Sequence, residues 1–224
     1  MINIKEIFSD EEIAASVALW LPDDCDGAEL AGAAEYAAET NVPALSVVPR
    51  DVGVVWPWVE KLDVKLLPRF YVGTVNVDTM SELAINVKSV LKQGADGAQV
   101  IVPLAQLEKF ADSVAPVRDD LFFTKYFSVG LDIFEIWPLD WPRVFAALNK
   151  LRATSVLLIL SHDDMDKSDF TGRIYAALNA WDAAPDMELC VVLRDSFFRA
   201  PQVYRLVEKN RPELLDKLRF FVDY

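Results

Sequence analysis

The sequence is poor in cysteine and in positive charge. Its 224 residues include two cysteines, Cys25 and Cys190, which stand far apart and match no metal-ligand spacing. Two cysteines cannot form a disulfide scaffold for a chain of this length, so we expect a reducing, cytoplasmic environment. The formal net charge is −13. This acidity argues against a nucleic-acid partner, because phosphate binding needs clustered Lys and Arg.

Long apolar runs and recognisable catalytic motifs are also missing. No apolar stretch approaches the ~20 residues of a membrane-spanning helix. Acidic residues interrupt the N-terminal MINIKEIFSDEEIAA before a secretory signal could form. The chain contains no nucleophile elbow, P-loop or H-E-x-x-H motif. We therefore expect a soluble protein with no membrane partner, and the sequence points to no cofactor.

What the chain does contain is an alternation of short apolar runs and amphipathic segments. Continuous apolar runs are typical of parallel strands that are buried on both faces. The eight predicted strands span residues 15–22, 44–49, 64–72, 97–104, 124–133, 155–161, 188–195 and 219–224. No flexible linker divides them, and WLPDDCDGAEL stands where a Gly-rich dinucleotide loop would follow the first strand. We predict a single (β/α)8 barrel over residues 1–224, with an open doubly wound sheet as the alternative.

Four aspartates precede the amphipathic segments and are predicted helix N-caps: Asp26, Asp78, Asp140 and Asp169. The N-terminal segment is predicted to form a helix before the first strand, with Ser9 or Asp10 as a cap, whereas no helix is predicted after the eighth strand. The outer face of strands eight and one then needs another cover. We expect either the N-terminal helix or a second subunit, and a homodimer through this face is the corresponding prediction.

Three successive segments, VPALSVVPRDV, VKLLPRFYVG and DTMSELAINVKSVLKQGADGAQVIVPL, carry a family resemblance over about residues 40–105. They resemble the second, third and fourth βα units of the deoxyribose-phosphate aldolases, a family of class I aldolase barrels. The third segment carries most of the resemblance, with its acid-started helix, small-residue turn and apolar strand ending at Pro103. The resemblance implies a Schiff-base reaction on a strand-six lysine, helped by a strand-four aspartate and a strand-seven lysine.

The matching positions depart from that pattern. Strand four carries Gln99, which cannot transfer a proton, and strand six, SVLLILSHDD, has no lysine. The only base near the end of strand seven is Arg194, which stays protonated and cannot form an imine. The turns RDSFFRAP and FVDY lack the glycines of a phosphate cradle. We therefore predict a divergent aldolase-like barrel without classical Schiff-base activity.

Candidate binding residues lie at the C-terminal ends of the strands, where barrel enzymes hold their active sites. Arg50, Arg69 and Arg194 follow apolar strands in VVPRD, LLPRF and VVLRD, and their guanidinium groups suit a carboxylate or phosphate. Gln99 and Asp195 complete the predicted substrate-binding set. The alternative is that Arg50 and Arg194 pair with nearby aspartates and only tie loops together.

The loop after strand six, LSHDDMDKSD, supplies the catalytic candidates. His162, the single histidine, is the predicted general base because its pKa lies near neutrality, with Asp163 as a second proton carrier. Lys167 could reach a carbonyl at the mouth. The acidic run lacks the glycine and the glutamate of a calcium loop, so no metal is predicted. The chain is thus expected to bind or transform a small anionic metabolite; the alternative is a non-catalytic barrel that binds a ligand or a partner protein.

Overall fold

Eight parallel strands close into a barrel in which β8 pairs with β1. This computed structural model describes residues 8, 10–118, 126–160 and 169–224, and the statements below concern that part of the chain. The strands are β1 Val17–Trp20, β2 Ala44–Val47, β3 Lys65–Tyr71, β4 Gly97–Ile101, β5 Tyr126–Asp132, β6 Ser155–Ile159, β7 Glu188–Val192 and β8 Leu218–Asp223. The predicted (β/α)8 barrel is confirmed, and the alternative of an open sheet is wrong because the β1–β8 ladder leaves no edge.

A helix precedes β1, and one further helix follows each of the first seven strands. They are α1 Glu11–Ala15, α2 Gly27–Thr40, α3 Val52–Val59, α4 Val77–Lys92, α5 Leu107–Val114, α6 Trp141–Lys150, α7 Phe170–Ala180 and α8 Ala200–Asn210. None of the helices in the described residues has the length and apolar character that crossing a bilayer requires.

The predicted helix caps are correct at α1 and α2 only. Asp10 accepts hydrogen bonds from the first turn of α1, and Asp26 forms a capping box with Glu29 at the start of α2. Helix α4 begins two residues earlier than expected, because the Asn76 side chain accepts from the Thr79 amide at 2.9 Å and leaves Asp78 inside the first turn.

The other two predicted caps, Asp140 and Asp169, directly precede α6 and α7 but accept no helix N–H. A 3-10 turn leads into α6, and there the Asp140 carboxylate accepts from the Trp137 amide at 3.2 Å instead. The Asp169 carboxylate pairs with Arg173 one turn later in α7, at 2.9 Å. Both side chains are therefore engaged elsewhere.

The barrel interior contains more polar side chains than the apolar strand sequences suggest. Alternate residues of a strand point to opposite faces, so each strand sends one set outward to the helices and the other inward. The inward apolar cluster contains Ala18, Trp20, Ala44, Leu67, Leu157, Cys190, Val192 and Phe221. Buried among the strands are also the polar residues Ser46, Arg69, Gln99, Ser128 and Ser155. The interior is therefore filled, and a ligand must bind at an end of the barrel.

The outer face of β8 and β1 is covered by the chain itself. The outward side chains of these strands, such as Leu19 and Phe220, are fully buried. Phe8 and Ile13 of the N-terminal segment belong to the same buried cluster, and the Phe8 ring packs edge-on against Phe197 at 6.4 Å between centroids. The exposed face on which the homodimer was based is absent from the described residues, so the homodimer stays a prediction without that support.

The turn between α4 and β4 generates a stability prediction. Gly94 has a φ of 108°, and a Cβ added there would lie 2.3 Å from the Trp56 ring of α3. Gly94→Ala should lower the free energy of unfolding by about 2–4 kcal/mol. Alanine would have to adopt a left-handed backbone conformation, and its Cβ would overlap the Trp56 ring. Urea unfolding measures the change. Gly27→Ala is the control: it begins α2 in open space and should not destabilise the protein. Equal stability of the two variants would contradict the prediction.

The inward position of Cys190 on β7 predicts an unreactive thiol. Burial raises the pKa of Cys190 to about 12. Iodoacetamide at pH 8 should leave Cys190 unmodified in the native protein and alkylate it after unfolding, because the thiolate is the nucleophile. Peptide mass spectrometry reads both sites, and the partly exposed Cys25 serves as the internal control. Native labelling of Cys190 as fast as Cys25 would show that the interior is open.

Candidate functional site

A cavity of about 430 Å³ opens at the C-terminal end of the barrel, the end where barrel enzymes bind their substrates. Its walls are mainly apolar, and its polar groups come from the ends of β3, β5 and β7. The lining residues are Trp20, Tyr71, Val72, Gly73, Ile101, Val102, Pro103, Asp132, Glu135, Ile159, Leu160 and Arg194. We refer to it as the mouth cavity.

Arg194 is the one cationic side chain that lines the mouth cavity among the described residues. It lies two residues after the end of β7. Its φ of 50° is a left-handed conformation that L-residues other than Asn and Asp rarely adopt. Its Nε donates to both carboxylate oxygens of Asp223 at the end of β8, at 3.1 and 3.3 Å. Backbone strain of this kind persists where the surrounding structure fixes it, and it clusters at functional sites.

Asp223 is a carboxyl group with a perturbed affinity for protons. Burial raises its pKa, the Arg194 guanidinium opposes this shift, and Asp195 raises the pKa further through its charge and a side-chain hydrogen bond. The structure therefore joins two predicted binding residues, Arg194 and Asp195, through a carboxylate at the last strand end. Such a group can hold a proton more readily than an exposed aspartate.

Arg69 lies beside the mouth cavity rather than in its lining. Its side chain is fully buried, and its guanidinium carbon lies 4.5 Å from the centre of the Trp20 ring. Nη1 donates to the Ser46 carbonyl at 2.9 Å, and Nη2 donates to the Leu21 carbonyl and to the Asp23 carboxylate. Arg69 was predicted to donate hydrogen bonds to a substrate, but in the structure these groups of the protein accept them.

Arg50 also turns toward Asp23. It is an exposed residue that donates through Nη2 to the Asp23 carbonyl, and its Nε lies 3.6 Å from Asp51. Asp51 is buried, and this burial raises the pKa of its carboxyl. Two of the three predicted arginines, Arg50 and Arg69, thus converge on the β1–α2 connection. The interpretation of Arg50 as a tie between loops fits this geometry.

Gln99 lies deeper in the barrel than a residue of the mouth cavity. It is fully buried, and its Oε1 accepts from the Ser46 hydroxyl at 2.6 Å. It lines a small interior cavity of about 20 Å³ together with Ser128 and Ser155, whose hydroxyls are 2.5 Å apart. Gln99 therefore belongs to a polar layer inside the barrel, and its role as a substrate ligand stays a prediction.

The three predicted catalytic residues, His162, Asp163 and Lys167, lie outside the described residues. Leu160, the last described residue before them, lines the mouth cavity. Their roles therefore stay predictions.

Four polar or aromatic residues that line the mouth cavity were not among the predicted site residues: Trp20, Tyr71, Asp132 and Glu135. Glu135 accepts from the Leu104 amide at 2.8 Å and so links the loops after β4 and β5. Burial raises the pKa of Tyr71, whose hydroxyl also interacts with Arg69. All four stand at or just beyond strand ends, which is the signal that could have selected them.

Within the described ranges, no group of three or more His, Cys, Asp or Glu side chains is placed to hold a metal ion. The carboxylates of Asp132 and Glu135 instead accept backbone N–H groups at 2.8 Å.

No protein-family model matches the chain, and no curated protein sequence matches it. Among solved structures, it is similar to deoxyribose phosphate aldolase from Aeropyrum pernix, with a TM-score of 0.66 and 14% identity over 89% of this chain and 87% of that one. An aldolase named QR15 gives 0.66 and 11% identity over 99% and 92%. A protein provisionally assigned as the copper homeostasis protein CutC, from Streptococcus agalactiae, gives 0.65 and 9% identity over 92% and 97%.

At these identities the similarity establishes the fold alone. The resemblance to deoxyribose-phosphate aldolase barrels that the sequence suggested is confirmed at that level. The chain has the same barrel fold as these structures.

The left-handed conformation of Arg194 predicts that glycine at this position is more stable than alanine, the reverse of their order in a helix. Both Arg194→Gly and Arg194→Ala lose the bond to Asp223, but only glycine relieves the backbone strain. Arg194→Gly should be more stable than Arg194→Ala by about 1 kcal/mol in urea unfolding. At Arg205, exposed in α8, glycine should instead be less stable than alanine by about 1 kcal/mol. The same order at both positions would show that residue 194 is unstrained.

Proposed function

We propose that the mouth cavity binds a small metabolite with an anionic group, and that Arg194 binds that group. One observation carries the proposal: Arg194 is the only arginine or lysine among the described residues that line this cavity. Its hydrogen bonds to Asp223 use Nε. A guanidinium held in this way can offer its remaining N–H groups to a carboxylate or phosphate.

The remaining polar groups narrow the class of ligand. The carboxylates of Asp132 and Glu135 also line the mouth cavity, and they favour ligand groups that donate hydrogen bonds, such as hydroxyl or ammonium groups. The apolar side chains of Trp20 and Ile101 suit a short carbon skeleton. A volume of about 430 Å³ lies within the usual range of small-molecule sites. These features together support a ligand that is a small hydroxy acid, an amino acid, a sugar acid or a phosphate ester of one of these compounds.

The chemistry of this barrel should differ from that of a lysine-dependent aldolase. No lysine lines the mouth cavity among the described residues, and β6 and β7 contain none. Gln99, at the position of the family's aspartate, lies in the interior polar layer. If the metabolite is transformed, we expect proton transfer by His162 or Asp163 rather than imine formation at Lys167.

Ligand binding by the purified protein tests the proposal. A panel of small hydroxy acids, amino acids and sugar phosphates is screened by thermal shift, and hits are measured by calorimetry. Arg194→Ala should weaken the binding of a hit about 10-fold to 150-fold, the effect of losing a charged hydrogen bond. Arg205→Ala removes an exposed arginine of α8 and is the matched control. Equal affinity in both variants, or no binding by any member of the panel, would overturn the proposal.

The chemistry is tested separately by borohydride trapping with aldehydes and ketones. We expect no covalent adduct, because the family's lysines are missing from β6 and β7. A stable adduct on Lys167, located by peptide mass spectrometry, would show that imine chemistry survives. Turnover of a bound hit, followed by NMR, separates an enzyme from a barrel that only binds its ligand.

A further inference from the structure

The Arg69–Asp23 pair joins a buried cation to an exposed anion. The Arg69 side chain has no exposed surface, whereas 62% of the Asp23 side chain is exposed. A buried guanidinium needs an anionic partner, because removal from water is unfavourable for an uncompensated charge. Here the partner approaches from the solvent side, on the connection between β1 and α2.

The guanidinium of Arg69 is held in place by groups other than Asp23. The Ser46 and Leu21 carbonyls accept from its two terminal nitrogens, and the Trp20 ring lies against its face. In the described residues its Nε has no hydrogen-bond partner although it is buried. Asp23 is the one carboxylate at salt-bridge distance from this fixed guanidinium in this part of the chain.

The position of the Asp23 carboxylate is reachable from solvent and adjoins the mouth cavity. Its exposure means that a dissolved anion could approach the same place. Arg69 contacts two residues of the cavity lining, since it stacks on Trp20 and interacts with the Tyr71 hydroxyl. An oxyanion on Arg69 would thus be next to a ligand in the mouth cavity.

We infer that Arg69 forms an oxyanion subsite that Asp23 occupies as an internal carboxylate ligand, and that a carboxylate or phosphate group enters by exchange with Asp23. The inference rests on the proposed function for the identity of the metabolite, but the exchange itself is independent of it. A carboxylate attached to the same chain has a high effective concentration and competes with dissolved anions. Asp23 therefore restricts the subsite to ligands that bind elsewhere in the mouth cavity as well.

The exchange is tested with simple anions and without any metabolite. Asp23→Ala removes the internal carboxylate, and Asp24→Ala is the matched control because it removes a neighbouring exposed carboxylate. Thermal unfolding is measured with acetate or inorganic phosphate against sodium chloride of equal ionic strength. Asp23→Ala should lose about 5 °C or more in melting temperature, and about 0.1 M acetate or phosphate should restore at least half of the loss.

Two further variants make the result decisive. Asp23→Asn keeps the size of the side chain without its charge, and it should show the same rescue if Asp23→Ala folds poorly. The double variant Asp23→Ala with Arg69→Met should show no rescue, because it lacks the guanidinium that binds the anion. Equal anion effects in wild type, Asp24→Ala and Asp23→Ala, or rescue that persists without Arg69, would overturn the inference. Either result leaves the role of Arg194 untouched, since that role is measured by metabolite binding.

Discussion

The backbone pairing of β8 with β1 is the constraint on which the rest of the structure depends. The register places Val17 opposite Phe220 and Trp20 opposite Asp223. With this pairing the sheet has no free edge, and all eight strands point their C-terminal ends to the same rim. The mouth cavity exists because residues that are far apart in sequence, such as Trp20 and Arg194, meet at that rim.

Closure also encloses a narrow interior that must be filled by side chains. In this chain the filling is partly polar, and each polar group needs a partner because water is excluded. Ser46 connects the two largest polar side chains of the interior, Arg69 and Gln99. Its carbonyl accepts from Arg69, and its hydroxyl donates to Gln99. Gln99 is therefore committed to internal packing. The proposed chemistry lies above this layer, at the rim.

Arginines at the rim of the barrel lie close to carboxylates that neutralise their charge. Arg194 is paired with Asp223, and Arg69 with Asp23, so each of these two cations has a carboxylate of the same chain beside it. The net charge of −13 repels anions at long range and gives no electrostatic steering toward the site. Recognition of an anionic metabolite would then depend on contacts made after arrival, which favours selectivity over rapid capture.

The sequence by itself determined the architecture of this protein, because continuous apolar runs alternating with capped amphipathic segments are compatible with few folds. The family resemblance also predicted Gln99 at the position of the aldolases' strand-four aspartate and left Arg194 as the only base near the end of strand seven. Only the tertiary structure decided what these residues contact. The direction of Arg69, its pairing with Asp23, and the bond from Arg194 to Asp223 depend on strand register and barrel closure. Those contacts join residues up to 46 positions apart, and no local pattern specifies them.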